Sequence, residues 1–178
     1  MSIKLRNFKK RELKVLSKAL KVFGCFKLNF ILKVKENNKK EVIAMSTHLL
    51  NFIEKYKNLN YVFVGIKVGE IGKRFRLTLE GTFLLYKRNR KKVYVNEKGE
   101  MLFLYGRDLF SESVVSFTND INENDVVFVC NKDGDILGIG KARFNSEKIK
   151  NVESNRVVVD NLIDRGEYLR KNKLYDAF

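Results

Sequence analysis

The sequence predicts an α+β protein of two domains, a basic α/β unit over residues 1–90 and a mostly β, barrel-like unit over residues 91–178. Three observations predict it. Residues 1–90 hold 22 basic and 6 acidic side chains, whereas residues 91–178 hold 14 basic and 15 acidic, so the whole +15 net charge belongs to the first half. The apolar pattern changes from alternating helices and strands to closely spaced short strands. The charge run Lys87-Arg88-Asn89-Arg90-Lys91-Lys92 lies where the pattern changes.

Each element follows from its local pattern. Residues 8–23 place Phe8, Leu13, Val15, Leu16, Ala19, Leu20, Val22 and Phe23 on one side of a helix. Lys10, Arg11, Lys14, Lys18 and Lys21 form a stripe on the other, and Gly24 stops the helix. Residues 28–34 and 41–46 read as a hairpin around the polar loop 35–40. Ser46 or Thr47 then caps a helix running to about Asn58. Residues 61–68 and 73–77 read as strands around Gly69 and Gly72, and Thr78 caps a short helix over 79–86. In the second half, 92–95 and 101–105 read as strands, 106–110 as a helical turn and 114–118 as a strand. Residues 126–130 and 136–144 form a hairpin through Asp133-Gly134, because this turn needs residues that tolerate positive φ. Residues 156–160 give a last strand, and 162–170 close the chain.

The composition narrows the function. With 44% hydrophobic residues and 14 Phe, the chain has material for real cores and is not a disordered basic tail. Two cysteines, Cys25 and Cys130, make neither a disulfide framework nor a CxxC site, which fits a reducing interior. No run reaches the roughly 18 apolar residues of a membrane span, so no membrane role is expected. The lone His48 reads as a surface histidine near a helix cap, not as a ligand or base. Gly65-Ile-Lys-Val-Gly69-Glu-Ile-Gly72-Lys73 lacks the spacing of a phosphate loop, and Gly138-Ile-Gly140 lacks the third glycine of a dinucleotide fingerprint. Asp133-Gly134-Asp135 reads as a turn, without the ligand spacing of a calcium loop. No catalytic residue, metal site or cofactor is expected.

Binding chemistry remains. A positive field of this size captures polyanions, with nucleic acid the leading partner and an anionic membrane or acidic protein the rivals. Arg and Lys hold phosphates, while Arg and Tyr planes stack unpaired bases. In the second half Arg107, Lys141, Arg143, Lys148, Lys150 and Arg156 stand near apparent strand ends, and Arg165, Arg170, Lys171 and Lys173 flank Tyr168. In the first half the helix stripe is joined by Lys33, Lys35, Lys39, Lys40, Lys73, Arg74, Arg76, Lys87, Arg88 and Arg90.

The order VYVNEKGEMLFLYGRDLF, VVFVCNKDGDILGIGKARF and VVVDNLIDRGEYLRKN, over about residues 92–173, resembles a PUA domain, a small RNA-binding pseudo-barrel. With the upstream Lys73-Arg74-Phe75-Arg76-Leu77-Thr78, it is similar to the two-domain PUA proteins of large-subunit ribosome biogenesis in eukaryotes and archaea. The resemblance runs over about residues 62–173. It implies an N-terminal α/β pre-PUA domain followed by a C-terminal PUA pseudo-barrel, and a non-enzymatic factor that binds pre-rRNA through the PUA surface. Carried over by position, it implicates Arg107, Arg165, Arg170, Lys171 and Lys173; Lys141, Arg143 and Lys150 are added from local charge. It associates the pre-PUA domain with protein contacts, whereas the charge here points to RNA contact as well, through Lys10, Arg11, Lys14, Lys18, Lys21, Lys73, Arg74 and Arg76. The expected partners are single-stranded pre-rRNA segments and other ribosome assembly proteins. The protein is expected to be a monomer, cytoplasmic if archaeal and nucleolar if eukaryotic. An RNA-modification enzyme or its targeting subunit is the alternative function, and a basic protein-interaction scaffold the second alternative.

Overall fold

A computed structural model describes residues 4–22, 30–36, 38–86 and 91–170. The chain divides into two compact units, Met1–Leu85 and Tyr86–Phe178.

The first unit is built on a five-stranded antiparallel meander: β1 (Leu5–Arg6), β2 (Ile31–Glu36), β3 (Lys40–Met45), β4 (Ile66–Ile71) and β5 (Phe75–Leu77), in that spatial order. Around it lie α1 (Lys10–Val22), α2 (Thr47–Lys55) and α3 (Leu79–Tyr86). Strand β3 is buried along Val42, Ile43, Ala44 and Met45 because both of its faces are covered. Ile43 and Met45 pack with Val64 against Leu49, Leu50 and Ile53 of α2. Helix α1 packs on β4 and β5. Ser46 is the N-cap of α2, its side chain accepting from the Leu49 N–H at 3.2 Å.

Helix α1 corrects the predicted apolar face. Leu13 and Val22 are exposed, while Leu16 and the carboxylate of Glu12 are buried. Glu12 is tolerated there because Arg6, on β1, donates to both of its oxygens at 2.8 and 2.9 Å. The Lys9 N–H adds a third bond at 2.9 Å. Nothing in the helical period of α1 announces a partner from a two-residue strand upstream.

The second unit is a six-stranded mixed sheet curled into a nearly closed barrel. Its strands are β6 (Lys92–Val95), β7 (Leu109–Phe110), β8 (Val114–Phe117), β9 (Val126–Cys130), β10 (Ile136–Ala142) and β11 (Val157–Asp164). The spatial order is β7-β11-β10-β9-β6-β8, with β6 and β9 parallel and the other pairs antiparallel. Helices α4 (Glu97–Leu104), α5 (Ser146–Ile149) and α6 (Glu167–Arg170) complete it. Val93, Val95, Phe103, Leu109, Val127, Val129, Val158 and Val159 fill its centre. The Asp133-Gly134 turn forms as expected, with Gly134 at φ 87° and Asn131 Oδ1 accepting from the Asp133 and Asp135 N–H groups.

Several boundaries change. Residues 101–105, expected as a strand, end helix α4, and residues 106–110, expected as a helical turn, lead into β7. The cause is Asn96, whose Oδ1 accepts from the Gly99 N–H at 2.8 Å and starts a helix that the apolar run continues. Strand β4 begins only at Ile66, and β11 continues to Asp164. Strand β1, of two residues, and helix α5, of four, are too short for the sequence pattern to announce. The predicted stop at Gly24 and the charge run 87–90 lie outside the described residues.

Candidate nucleic-acid interface

In the second unit the end of α4 meets the end of β11. Past Leu104 and Tyr105 the chain turns sharply at Gly106, whose φ of 80° suits a residue without Cβ. Opposite, the turn Arg165-Gly166 leads from β11 into α6. A Cβ on Gly166 would stand 1.7 Å from the Leu104 carbonyl oxygen, so only glycine lets the two segments approach this closely. The Arg170 guanidinium closes the junction. It donates to the two oxygens of Asp164 at 2.9 and 2.8 Å, and to the Leu104 carbonyl. Asp164 is buried, and its hydrogen bonds push the Arg170 pKa above its ordinary value.

This junction frames a groove of about 340 Å³ lined by Met101, Leu104, Tyr105, Arg165, Gly166 and Leu169, with Arg170. Its walls are apolar and accessible: Tyr105 is 66% exposed and Leu169 85%. Arg165 is exposed at its lip, and the exposed Arg107 follows Gly106. The α4–β7 turn is tied to β11 by Asn161. Its side-chain amide donates to the Phe103 and Arg107 carbonyls at 2.8 and 3.4 Å, and its N–H donates to Asp108 at 2.9 Å.

The predicted cations fall into different environments. Arg165 lines the groove, and Arg107 is exposed just past Gly106. Arg170 lines it too, with its guanidinium tied to Asp164. Arg143 is paired with Asp160 at 2.5 Å and lies 3.7 Å from Asp108. Lys141 is half-buried on β10, opposite Asp160 in register. Lys150 is exposed after α5, which is anchored by Ser146 Oγ donating to the Asn119 carbonyl, and it does not line the groove. Lys171 and Lys173 lie outside the described residues. Tyr168, the aromatic singled out in sequence, is half-buried, whereas Tyr105 presents the more open ring. Met101 and Tyr105 escape the sequence reading because 101–105 reads as a strand until Asn96 is recognised as a cap, and Leu169, whose apolar side chain suggests packing, stands open at the groove instead.

The cations of the first unit also separate. Lys10, Arg11, Lys14, Lys18 and Lys21 are all exposed on α1. Lys14, Lys18 and Lys21 border one shallow concavity with Leu13 and Ser17. Arg11 turns toward another, shared with Lys39, Lys40 and Lys73. Arg74 and Arg76 are exposed on the β4–β5 hairpin, Arg76 opposite Glu70 in register. Within the sheet, Lys67 bridges Glu41 and Glu70 at 2.7 and 2.8 Å. Burial opposes the Lys67 charge, but these hydrogen bonds more than offset it and raise its pKa.

Among the described residues no three His, Cys, Asp or Glu side chains converge as a metal site requires. None of the described helices is long and apolar enough to cross a membrane. Cys130 is wholly buried, and burial pushes its thiol pKa up. His48 is exposed in the first turn of α2.

Residues 91–173 match the family model described as UPF0113 PUA domain, and residues 5–79 the one described as NIP7/UPF0113, pre-PUA domain. The chain is 49% identical over 170 residues to a UPF0113 protein of Archaeoglobus fulgidus, covering 94% of this chain and 95% of that one. It is 26% identical over 174 residues to the 60S ribosome subunit biogenesis protein NIP7 of Saccharomyces cerevisiae, covering 93% and 96%. Its fold is similar to that of a conserved PUA domain protein from Thermoplasma acidophilum, with a TM-score of 0.62 and 19% identity over 94% of this chain and 97% of the other.

Proposed function

The chain belongs to the UPF0113 family of two-domain pre-PUA and PUA proteins, and on that premise we propose that it is a non-catalytic RNA-binding factor in assembly of the large ribosomal subunit. The RNA contact is the groove between the end of α4 and the Arg165-Gly166 turn. One observation carries the assignment: an exposed tyrosine ring and an apolar floor lie beside an exposed arginine, on a junction fixed by the ion pair of Arg170 with the buried Asp164. Tyr105 offers a face for an unpaired base, and base–aromatic stacking contributes about 1–3 kcal/mol per base. Arg165 and Arg107 neutralise the flanking phosphates. The Arg170–Asp164 pair acts through geometry, holding the platform so that binding need not order it. The substrate is a single-stranded segment of pre-rRNA, a reading supported by the yeast relative's being a 60S ribosome subunit biogenesis protein.

Ultraviolet crosslinking of the full chain to ribosomal RNA, followed by mapping of the linked peptides, tests this reading. The expected crosslinks fall in residues 101–107 and 162–170. Crosslinks confined to other peptides of the second unit would remove the groove from the site. Mass spectrometry of the recovered RNA is expected to show neither a new base nor a chain break. A product that a single Asp, Glu or Cys substitution abolishes would overturn the non-catalytic assignment.

A further inference from the structure

The first unit gathers four cations from three separate segments around one cleft. Arg11 comes from α1, Lys39 and Lys40 from the β2–β3 turn and the first residue of β3, and Lys73 from the turn between β4 and β5. The cleft has a volume of about 460 Å³, and Val15, Ile71 and Gly72 supply its apolar part. Glu12 is the acidic residue in its lining, and Arg6 already engages both oxygens of that carboxylate. Lys40 reaches Glu12, and Lys39 reaches Glu70, only at 3.4 Å, with side chains 44% and 69% exposed. Each is a single contact from an exposed lysine head to a carboxylate that another cation already holds at 2.8 Å, so it ties the lysine only loosely. Arg11 and Lys73 have no ion pair among the described residues. Gathering cations in one concavity costs repulsion in the free protein, and an arriving polyanion relieves it.

We infer that this cleft is a second RNA site, one that takes the phosphodiester backbone and reads no base. The inference extends the RNA-binding reading to the first unit and rests on it. An arginine fork and ammonium groups match phosphate oxygens, and Val15 and Ile71 match the apolar side of a ribose. Among the described residues no aromatic side chain lines the cleft, so they offer no stacking platform there. Phosphate contacts position a strand without specifying its sequence. The two units then divide the labour: the groove of the second unit grips unpaired bases, and the cleft of the first holds backbone of the same molecule.

The test uses the full chain, a fluorescent mixed-sequence single-stranded RNA 20-mer, and affinity measured across a salt series. In the double variant Arg11→Gln/Lys73→Gln, affinity at low salt is expected to fall several-fold, and the slope of log affinity against log salt to flatten by about 1.4, for two lost contacts with a single strand. Melting should be unchanged, since both side chains are exposed. The charge-keeping variant Arg11→Lys/Lys73→Arg should retain the wild-type slope. Loss of the slope in that variant too, or a large loss of melting in either, would assign the residues a structural role and overturn the inference. An unchanged slope in the Gln variant, with binding weakened by Tyr105→Ala, would reject the cleft and leave the groove standing. Absence of RNA binding by the wild type would reject both. Displacement of the RNA by polyglutamate as effectively as by unlabelled RNA would assign the cleft to acidic proteins instead.

Discussion

The Arg170 guanidinium grips the Asp164 carboxylate with two parallel hydrogen bonds, 2.9 and 2.8 Å long, across the turn that closes the second unit. Asp164 is 3% exposed, so this arginine neutralises a charge that has almost no access to water. Arg170→Gln leaves that carboxylate unpaired and removes the bond to Leu104. The expected cost is about 3 kcal/mol, and Arg170→Lys should not restore it because the two-pronged geometry is lost. Thermal melting measures the cost. A variant that melts like the wild type yet binds RNA much more weakly would return Arg170 to the binding surface.

Two glycines in the second unit should respond differently to alanine. Gly166→Ala puts a methyl group into the Leu104 carbonyl, and should cost about 3 kcal/mol, the upper end for overpacking. Gly134 sits at φ 87° with nothing near its Cβ position, so Gly134→Ala should cost only about 1 kcal/mol of backbone strain. Denaturant unfolding of both variants checks the order.

Glu12 gives the first unit an acid-sensitive tie. Hydrogen bonds from Arg6 hold its carboxyl at about 2, against the opposing effect of burial, below an ordinary value of 4.5. A carboxyl lowered on folding stabilises the native state above its unfolded pKa, and this stabilisation is lost as pH falls through its folded pKa. The Glu12 contribution should therefore be complete at neutral pH and fade between about pH 4.5 and 2. Glu12→Gln should lower melting at pH 7 and flatten the melting-against-pH curve in that window. A parallel curve, merely displaced, would show that Glu12 does not carry the acid transition.

Tyr105→Ala should weaken binding of a single-stranded RNA about thirtyfold, the midrange of about 1–3 kcal/mol for one lost stacking contact. Melting should change little, because the ring is 66% exposed. Tyr105→Phe should keep most of the affinity, since stacking needs the ring face and not the hydroxyl. Fluorescence anisotropy with the three proteins distinguishes stacking from a hydrogen bond.

Part of the candidate site is reached through the family resemblance. It implicates Arg107 after the Tyr105-Gly106 pair and Arg165 in the closing motif; Arg165 lines the groove, and Arg107 is exposed just past the turn that ends α4. Arg170, from the same motif, has its guanidinium on Asp164, a partner only six positions away whose burial no local pattern reveals. Tyr105 was passed over in favour of Tyr168, because an apolar run after a short polar stretch suits a strand and a helix equally well. The side chain of Asn96 decides between them.

The sequence by itself determined the α+β class, the PUA resemblance, the Asp133-Gly134 hairpin and the concentration of charge in the first half. The class, the hairpin and the charge are written in neighbouring residues, as periodicity, turn chemistry or simple count, while the PUA resemblance rests on the order of its motifs along the chain. Tertiary structure alone decided which cations have open heads and which are struts. It buried Glu12 beneath Arg6, set Arg170 on Asp164, and drew Arg11, Lys39, Lys40 and Lys73 around one cleft. The physical reason is distance. A charge takes its role from the groups within a few ångströms of it, and in these clusters those groups come from different strands and helices that only the folded chain brings together.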